Sequence, residues 1–270
     1  MLKNALLALL LTLPVVLAGG GDAPVLKWQG LELHATNVIR FGTLDSRLDL
    51  FNPRGQLLAT LTQHFTGYDL KDWTGDGIPE LELTGHTGGM HCCVVSAVLE
   101  RTKTGARNLF TYYIGNYGNL EPKQLDADKP LELVGQSDVL AYFNGSYYDS
   151  PTVGVVFDRV GSTYKLASRK FPKVLIAKAQ ESWQMYLKHD PAYSKRDIIQ
   201  YLANMTEAGQ GAATLEKILN DPRVTQSDKD WARDHAKKLN KALANLPNYL
   251  WQLRQKPLRF NDKNIFPKGW

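Results

Sequence analysis

Residues 72–83 constrain the fold of this chain more than any other stretch. They read Asp-Trp-Thr-Gly-Asp-Gly-Ile-Pro-Glu-Leu-Glu-Leu. Side-chain oxygens fall at positions 1, 3, 5 and 9 of this run, on Asp72, Thr74, Asp76 and Glu80. Gly77, at position 6, permits a left-handed turn, and the alternating Glu-Leu-Glu-Leu that follows is typical of a strand. The sequence therefore predicts an oxygen-lined loop that leads into a β-strand.

The spacing of these oxygens is that of a calcium loop. Ca²⁺ takes six to eight hard oxygen ligands in a flexible geometry, and the backbone carbonyl of Ile78 offers one more oxygen at position 7. The run opens like an EF-hand, but position 12 is Leu83 and Pro79 leads into a strand. The alternative is a polar turn whose Asp and Thr side chains accept hydrogen bonds from its own backbone without an ion.

The hydrophobic periodicity changes along the chain. Short period-two stretches separated by turn residues run from Pro24 to about Lys165, with a hairpin around Asn52–Gly55 and a strand at Val139–Phe143. From Phe171 the apolar residues recur every three to four positions. We expect a mainly β N-terminal region over 19–170, then an α-helical region over 171–270. Ser194 and Ser227 are the expected N-caps of two of the helices.

The oxygen-lined loop has a weaker second copy. Asp76-x-x-x-Glu80-Leu recurs as Asp128-x-x-x-Glu132-Leu, 52 residues later. Such a spacing suits one blade-sized β-unit, and two or three units are too few to close a propeller. We therefore expect open, propeller-like antiparallel sheets.

The second copy departs from the ion-binding pattern. Gln124 replaces the first acid and Lys129 replaces the glycine. The remaining acids are Asp126, Asp128 and Glu132. We expect them to bind no ion.

The first loop resembles a known repeat family. The pattern D-x-T-x-D-G-x-x-E before an apolar strand is similar to FG-GAP or VCBS repeats of β-propellers, and with Gly88–Cys93 it resembles exported bacterial proteins that contain such repeats. The resemblance covers roughly residues 65 to 170. It implies a structural Ca²⁺ held by the first loop and a role in adhesion or binding.

The first 18 residues have the features of a signal peptide. Lys3 precedes an apolar run from Ala5 to Val16, and Val16-Leu17-Ala18 provides a small-residue cleavage site. No later apolar run reaches the length of a membrane span. We expect a periplasmic or secreted protein in an oxidising compartment.

Four potential metal ligands follow the first loop: His86, His91, Cys92 and Cys93. Neighbouring residues of a strand face opposite sides, so Cys92 and Cys93 are poorly placed to share a metal. The two cysteines could instead form a strained vicinal disulfide or stay as two separate buried thiols.

Two surface features bear on partners. Tyr142, Phe143, Tyr147 and Tyr148 surround Asn144-Gly145-Ser146, and these rings are suited either to stacking on sugars or peptides or to a sheet core. Residues 166–270 carry 19 Lys and Arg against 10 Asp and Glu. Lys237, Lys238 and Lys241 form either a site for anionic polymers or lipids or a solvated helix face.

No catalytic motif of the familiar hydrolase or nucleotide-binding classes is present. The favoured hypothesis is an exported binding or adhesion module that engages a protein or glycan at the cell envelope; nucleic acid is not an expected partner. The competing hypothesis is an exported hydrolase that uses the loop metal or carboxylates such as Glu80 and Glu82.

Overall fold

The computed structural model describes residues 25–249, except 41–42, 64, 90–91, 104, 114–119, 129, 162 and 189–192. The strands are β1 Val25–Trp28, β2 Leu31–Arg40, β3 Thr43–Phe51, β4 Leu57–Gln63, β5 Phe65–Lys71, β6 Glu80–Gly89, β7 Cys92–Thr102, β8 Gly105–Tyr113, β9 Glu121–Lys123, β10 Glu132–Ser137, β11 Val153–Val160 and β12 Thr163–Leu166. The helices are α1 Pro172–Lys188, α2 Ser194–Glu207, α3 Gly211–Asn220, α4 Gln226–Ala244 and α5 Leu246–Tyr249. The mainly β region followed by an α-helical region is confirmed.

The strands form three antiparallel sheets of four strands each, in chain order. Sheet I holds β1–β4, sheet II holds β5–β8 and sheet III holds β9–β12. Each sheet is thus a meander, which needs only short connections between neighbouring strands. The hairpin at Asn52–Gly55 is confirmed, since the Gly55 N–H donates to the Asn52 carbonyl at 2.9 Å.

Sheet II lies between sheets I and III. Leu81 and Leu83 of sheet II belong to the same buried cluster as Leu33 and Leu50 of sheet I. Phe110 of sheet II belongs to the cluster that contains residues of sheet III. Its ring meets that of Tyr164 edge-on at 5.2 Å, an arrangement that aromatic pairs favour.

Helices α1 and α2 pack on sheet III. The Gly154 N–H of β11 donates to Asn204 Oδ1 at 2.8 Å, and the Thr152 N–H donates to Gln200 Oε1 at 2.9 Å. A Cβ at Gly154 would lie 2.9 Å from Leu175 Cδ2, so the helices approach the strand closely. At the opposite end of the stack, sheet I presents partly exposed polar side chains such as Glu32 and Asp49.

One expected strand is wrong. Val139–Phe143 lies in a turn-rich connection, residues 138–152, between β10 and β11. Consecutive turns replace the strand: the Ala141 N–H donates to the Asp138 carbonyl at 2.7 Å, and the Phe143 N–H donates to the Leu140 carbonyl at 3.0 Å. Tyr142 adopts φ +59°, which is incompatible with an extended strand.

Both expected N-caps are also wrong. Ser194 lies inside α2, where its hydroxyl donates to Asp228 Oδ1 at 3.1 Å and leaves the helix start without a side-chain cap. Thr225 caps α4 instead of Ser227, because its Oγ1 accepts the Asp228 N–H at 3.2 Å. Asp228 therefore joins the starts of two helices.

The predicted signal peptide, residues 1–18, lies outside the described residues. Among the described helices, none combines the length and the apolar character that a membrane crossing requires.

Candidate functional site

The first loop connects β5 to β6 and is held together by its own acids. The Asp72 carboxylate accepts the N–H groups of Gly75 at 2.7 Å and Gly77 at 2.9 Å. Both glycines have positive φ, +78° and +84°, which side chains with a Cβ rarely adopt. The Ile78 N–H donates to Asp76 Oδ1 at 2.8 Å. These contacts fold the loop tightly around its first acid.

Glu80 closes the loop from the inside. Its side chain is enclosed, with 2% exposure, and it accepts the Trp73 N–H at 2.7 Å and the Thr74 hydroxyl at 3.1 Å. Burial raises the pKa of Glu80 to about 7, against the opposing effect of these two hydrogen bonds. The negative charges of Asp76 and Asp72 contribute to the same rise. Near neutral pH, Glu80 is therefore poised between its acid and its carboxylate.

The first loop is also clamped by the neighbouring sheets. The Pro79 carbonyl accepts hydrogen bonds from Trp28 Nε1 at 2.9 Å and Gln29 Nε2 at 2.7 Å, both from sheet I. Tyr164 of sheet III donates its hydroxyl to the Trp73 carbonyl at 3.2 Å. The loop thus contacts all three sheets. Pattern reasoning missed Trp28, Gln29 and Tyr164, because nothing local in the sequence links them to the loop.

The donor set of the first loop fits a hard cation in its chemistry. Each Asp72 oxygen accepts one N–H, and a carboxylate oxygen has a second lone pair for an ion. The candidate ligands Asp72, Thr74, Asp76, Glu80 and the Ile78 carbonyl offer oxygen alone, as Ca²⁺ prefers. The same hydrogen bonds are those of the ion-free polar turn, so both expectations stay open.

The second loop, residues 124–131, repeats the first in structure. Leu125 donates its N–H to Glu132 Oε2 at 2.7 Å, matching the bond between Trp73 and Glu80. Lys123 pairs with Glu132 across β9 and β10, as Lys71 pairs with Glu80 across β5 and β6. The 52-residue sequence repeat is therefore also a repeat of strand register and of a buried glutamate.

The second loop gathers its acids more closely than the first. Oxygens of Asp126, Asp128 and Glu132 lie within 4.8 Å of one another, and no other group of three His, Cys, Asp or Glu residues does so in the described part of the chain. The ammonium of Lys170 lies 3.1 Å from Asp126 Oδ2 and 2.7 Å from Asp158 Oδ2. A lysine thus supplies a cation to this loop.

Hydrogen bonds shift the pKa values of two acids in the second loop, Asp126 and Asp128. The hydrogen bond from Lys170 is the largest cause that lowers the pKa of Asp126, whereas the hydrogen bond with Asp126 raises the pKa of Asp128. Lys170 comes from the short 3-10 turn before α1, and the repeat pattern gave no sign of it. That this loop binds no metal ion stays a prediction.

Glu82 does not form an accessible catalytic pair with Glu80. Its side chain is 7% exposed and accepts the hydroxyl of Tyr112 at 2.5 Å. Burial raises the pKa of Glu82, against the opposing effect of this hydrogen bond. Burial also raises the pKa of Tyr112, and the charge of Glu82 adds to that rise. The two glutamates on this face of β6 are closed off from solvent.

The stretch that carries the histidines and cysteines begins in β6 and continues into β7. The backbones of Gly89 and Cys92 pair at the β6–β7 hairpin, but the side chains of His86, His91, Cys92 and Cys93 lie outside the described residues. Metal, vicinal disulfide and separate thiols all remain predictions.

The aromatic cluster is divided between core and surface. Phe143 is buried, whereas Tyr142 is 53% and Tyr148 71% exposed. The interpretation as sheet core is therefore wrong for these two tyrosines. Lys237, Lys238 and Lys241 are exposed on α4, and Lys238 donates to the Phe143 carbonyl at 3.1 Å.

Comparison with known proteins gives no relative: no family model, curated protein sequence or solved structure matches this chain.

Proposed function

We propose that this chain is an exported binding module of the FG-GAP/VCBS type, which engages a protein or glycan at the cell envelope, in the periplasm or outside the cell. The observation that carries the proposal is the repeated loop. The same register and the same hydrogen bond to a buried glutamate occur in sheets II and III. A repeated β-unit with an acidic loop is the feature that the family resemblance rests on.

The sheet arrangement supports an open, propeller-like architecture. Propeller blades are four-stranded sheets, and this chain stacks three four-stranded meanders. Helices α1 and α2 cover sheet III, while sheet I ends the stack with polar side chains such as Glu32 and Asp49. Over the residues described, neither end of the stack therefore leaves a sheet face that is both apolar and uncovered, as the terminal units of repeat arrays require.

Calcium has a structural role in this proposal. Asp72, Thr74, Asp76, Glu80 and the Ile78 carbonyl would hold the ion. Its two positive charges would stabilise the Glu80 carboxylate, whose pKa is raised by burial and further by the charges of Asp76 and Asp72. Because a bound ion stabilises the folded state by mass action, Ca²⁺ would strengthen the junction between the three sheets.

The hydrolase hypothesis gains no support from the acids of β6. A hydrolytic carboxylate has to reach the substrate within hydrogen-bond distance, and Glu80 and Glu82 are enclosed. The first loop is more suited to stabilising the fold than to turnover.

Co-sedimentation tests the proposed function. The purified protein is mixed with insoluble envelope material in Ca²⁺ or in chelator, and the pellet and supernatant are compared. We expect retention that is stronger in Ca²⁺. Absence of retention under both conditions would contradict a binding role, and release of soluble sugar or peptide fragments would favour the hydrolase.

A further inference from the structure

One surface combines exposed and partly buried aromatic rings with lysines. It extends from the 138–152 connection across the start of α2 to α4, and we name it the aromatic band. Its members are Tyr142, Tyr148, Tyr193, Lys195, Trp231 and Lys238.

The tyrosine end of the band contains two pairs of touching rings. The rings of Tyr148 and Tyr193 lie 5.8 Å apart, and their hydroxyls are 3.2 Å apart. Tyr142 lies on the same connection, 5.5 Å from the ring of Tyr147. The guanidinium of Arg196 lies 4.6 Å from the centre of the Tyr193 ring. These contacts leave Tyr142 and Tyr148 as the most exposed rings of the band.

The helical end of the band alternates rings and cations. Lys195 Nζ lies 4.8 Å from the centre of the Trp231 ring, which stacks on His235 at 3.5 Å. Lys238 Nζ lies 4.4 Å from the centre of the Phe143 ring. Cations over ring faces are favourable, so both lysines are held close to the rings. Lys238 also donates to the Phe143 carbonyl at 3.1 Å, and both lysines are exposed.

The connection that carries the tyrosines is rigidly built. Ser150 Oγ accepts the Tyr142 N–H at 2.8 Å and donates to the Ser146 carbonyl at 2.9 Å. Asn144 Nδ2 donates to the Asp149 carbonyl at 3.0 Å. Tyr142 is held at φ +59°, a conformation that costs energy and is often found at ligand-binding sites. Because the rings are already placed, little entropy is lost on binding.

The charge of the band selects among ligands. Arg196 is paired with Asp197, whereas Lys195 and Lys238 have no carboxylate within ion-pair distance in the part of the chain that the structure describes. Two ammonium groups without a carboxylate partner, on the surface that also carries the exposed rings of Tyr142 and Tyr148, are complementary to a ligand with flat apolar faces and a few negative charges.

A carboxylated polysaccharide suits this surface better than nucleic acid or protein does. Nucleic acid carries a phosphate on every nucleotide and needs a densely basic groove, but α4 places Asp230 and Asp234 beside its lysines. The core of a protein interface is a larger apolar surface, whereas the band exposes two large apolar side chains, Tyr142 and Tyr148, of those described.

We propose that the aromatic band binds a carboxylated polysaccharide, with sugar rings stacked on Tyr142 and Tyr148 and carboxylates paired with Lys195 and Lys238. This inference rests on the proposed function and names the binding surface and the ligand class for it.

Affinity electrophoresis is the test, with hyaluronan in the gel because it carries one carboxylate for every two sugars. Gels with neutral dextran and titration with a single-stranded oligonucleotide serve as comparisons. The variants are Tyr148→Ala and Lys195→Ala. The matched controls are Tyr148→Phe, which keeps the ring, and Lys237→Ala, which removes an exposed lysine of α4 outside the band. Thermal melting of each variant shows that it is folded.

We expect hyaluronan to retard the wild type and dextran to have no effect. Tyr148→Ala should weaken binding by about tenfold, the scale of a lost stacking ring, and Lys195→Ala by about threefold, the scale of an exposed ion pair. Both controls should bind like the wild type. The proposal is overturned if hyaluronan does not retard the protein, if dextran retards it equally, if the oligonucleotide binds instead, or if Tyr148→Ala binds normally.

The two proposals fail in different ways. If envelope material retains the wild type and Tyr148→Ala equally, the binding function stands and the aromatic band is not its site. If envelope material retains neither protein, the binding function itself fails.

Discussion

Replacing Glu80 by Gln should change how the stability of the protein depends on pH. The enclosed side chain has a pKa of about 7 against an ordinary value of 4.5, so the folded state binds its proton more tightly than the unfolded state does. Unfolding then becomes easier as the pH rises through this window. Each pKa unit corresponds to about 1.4 kcal/mol. The free energy of unfolding should therefore fall by on the order of 3 kcal/mol between pH 4.5 and pH 7 because of Glu80 alone, and then level off.

Glutamine is a suitable replacement because the loop can accept it. Its carbonyl oxygen can take the Trp73 N–H, and the Thr74 hydroxyl, which donates to Glu80 at 3.1 Å, can rotate to accept the amide NH₂. The variant then mimics the protonated glutamate at every pH. Relative to the wild type, it should gain about 3 kcal/mol of stability between pH 4.5 and pH 7.

Urea unfolding at half-unit pH steps, in chelator, measures this difference. Other buried acids, such as Glu82, whose pKa is also raised, act equally in both proteins and cancel in the comparison. The matched control is Glu216→Gln, at an exposed position of α3, and its curve should run parallel to that of the wild type. If the Glu80→Gln curve is also parallel to the wild type, the burial argument for Glu80 is refuted.

Two further predictions test the helical layer by chemical denaturation. Gly154→Ala should destabilise the protein by about 1–3 kcal/mol, because the new Cβ would press on Leu175. The control Gly67→Ala, with nothing within 4 Å of its Cβ, should change stability little. Equal effects of the two substitutions would contradict the close packing of the helices on β11. Thr225→Ala should lower the free energy of unfolding by about 1 kcal/mol, the usual loss for an N-cap. Ser227→Ala should leave the free energy of unfolding nearly unchanged. The reverse order would show that Ser227 is the cap.

Local chemistry explains what the sequence could predict. The hairpin at Asn52 follows from a side chain that accepts the N–H groups of Arg54 at 2.9 Å and Gln56 at 3.0 Å, since such contacts are set by neighbours in the chain. The turn at Gly77 in the first loop is predictable for the same reason. Both turns depend on no distant residue.

The predicted N-caps were wrong because more than one nearby residue, or a distant one, could satisfy the same groups. Two candidate residues, Thr225 and Ser227, precede the same apolar pattern, and the sequence alone does not show which of them leaves the helical conformation. Thr225-x-x-Asp228 and Ser227-x-x-Asp230 both resemble a capping box, so this signal does not distinguish the two candidates. Tertiary contact decides the matter at Ser194, which bonds to Asp228 instead of capping its own helix.

Contacts between residues far apart in the chain could not be predicted from sequence patterns. Gln29 and Trp28 reach Pro79 from sheet I, and Lys170 reaches Asp126 from the turn before α1. Their partners become apparent only when the sheets are stacked. The exposure of Tyr148 has the same origin, because it depends on how residues 138–152 lie over the helices and not on their composition.

Calorimetric titration with Ca²⁺ at pH 7, in two buffers of different ionisation enthalpy, tests the calcium-supported module most directly. The wild type and Asp126→Ala in the second loop should both show one binding event that releases a fraction of a proton, because the ion displaces the proton of Glu80. Asp76→Ala in the first loop should show none. Absence of binding heat in the wild type, with no change of melting temperature on adding Ca²⁺, would contradict the account. Loss of binding in Asp126→Ala but not in Asp76→Ala would show that the ion binds in the second loop and not in the first.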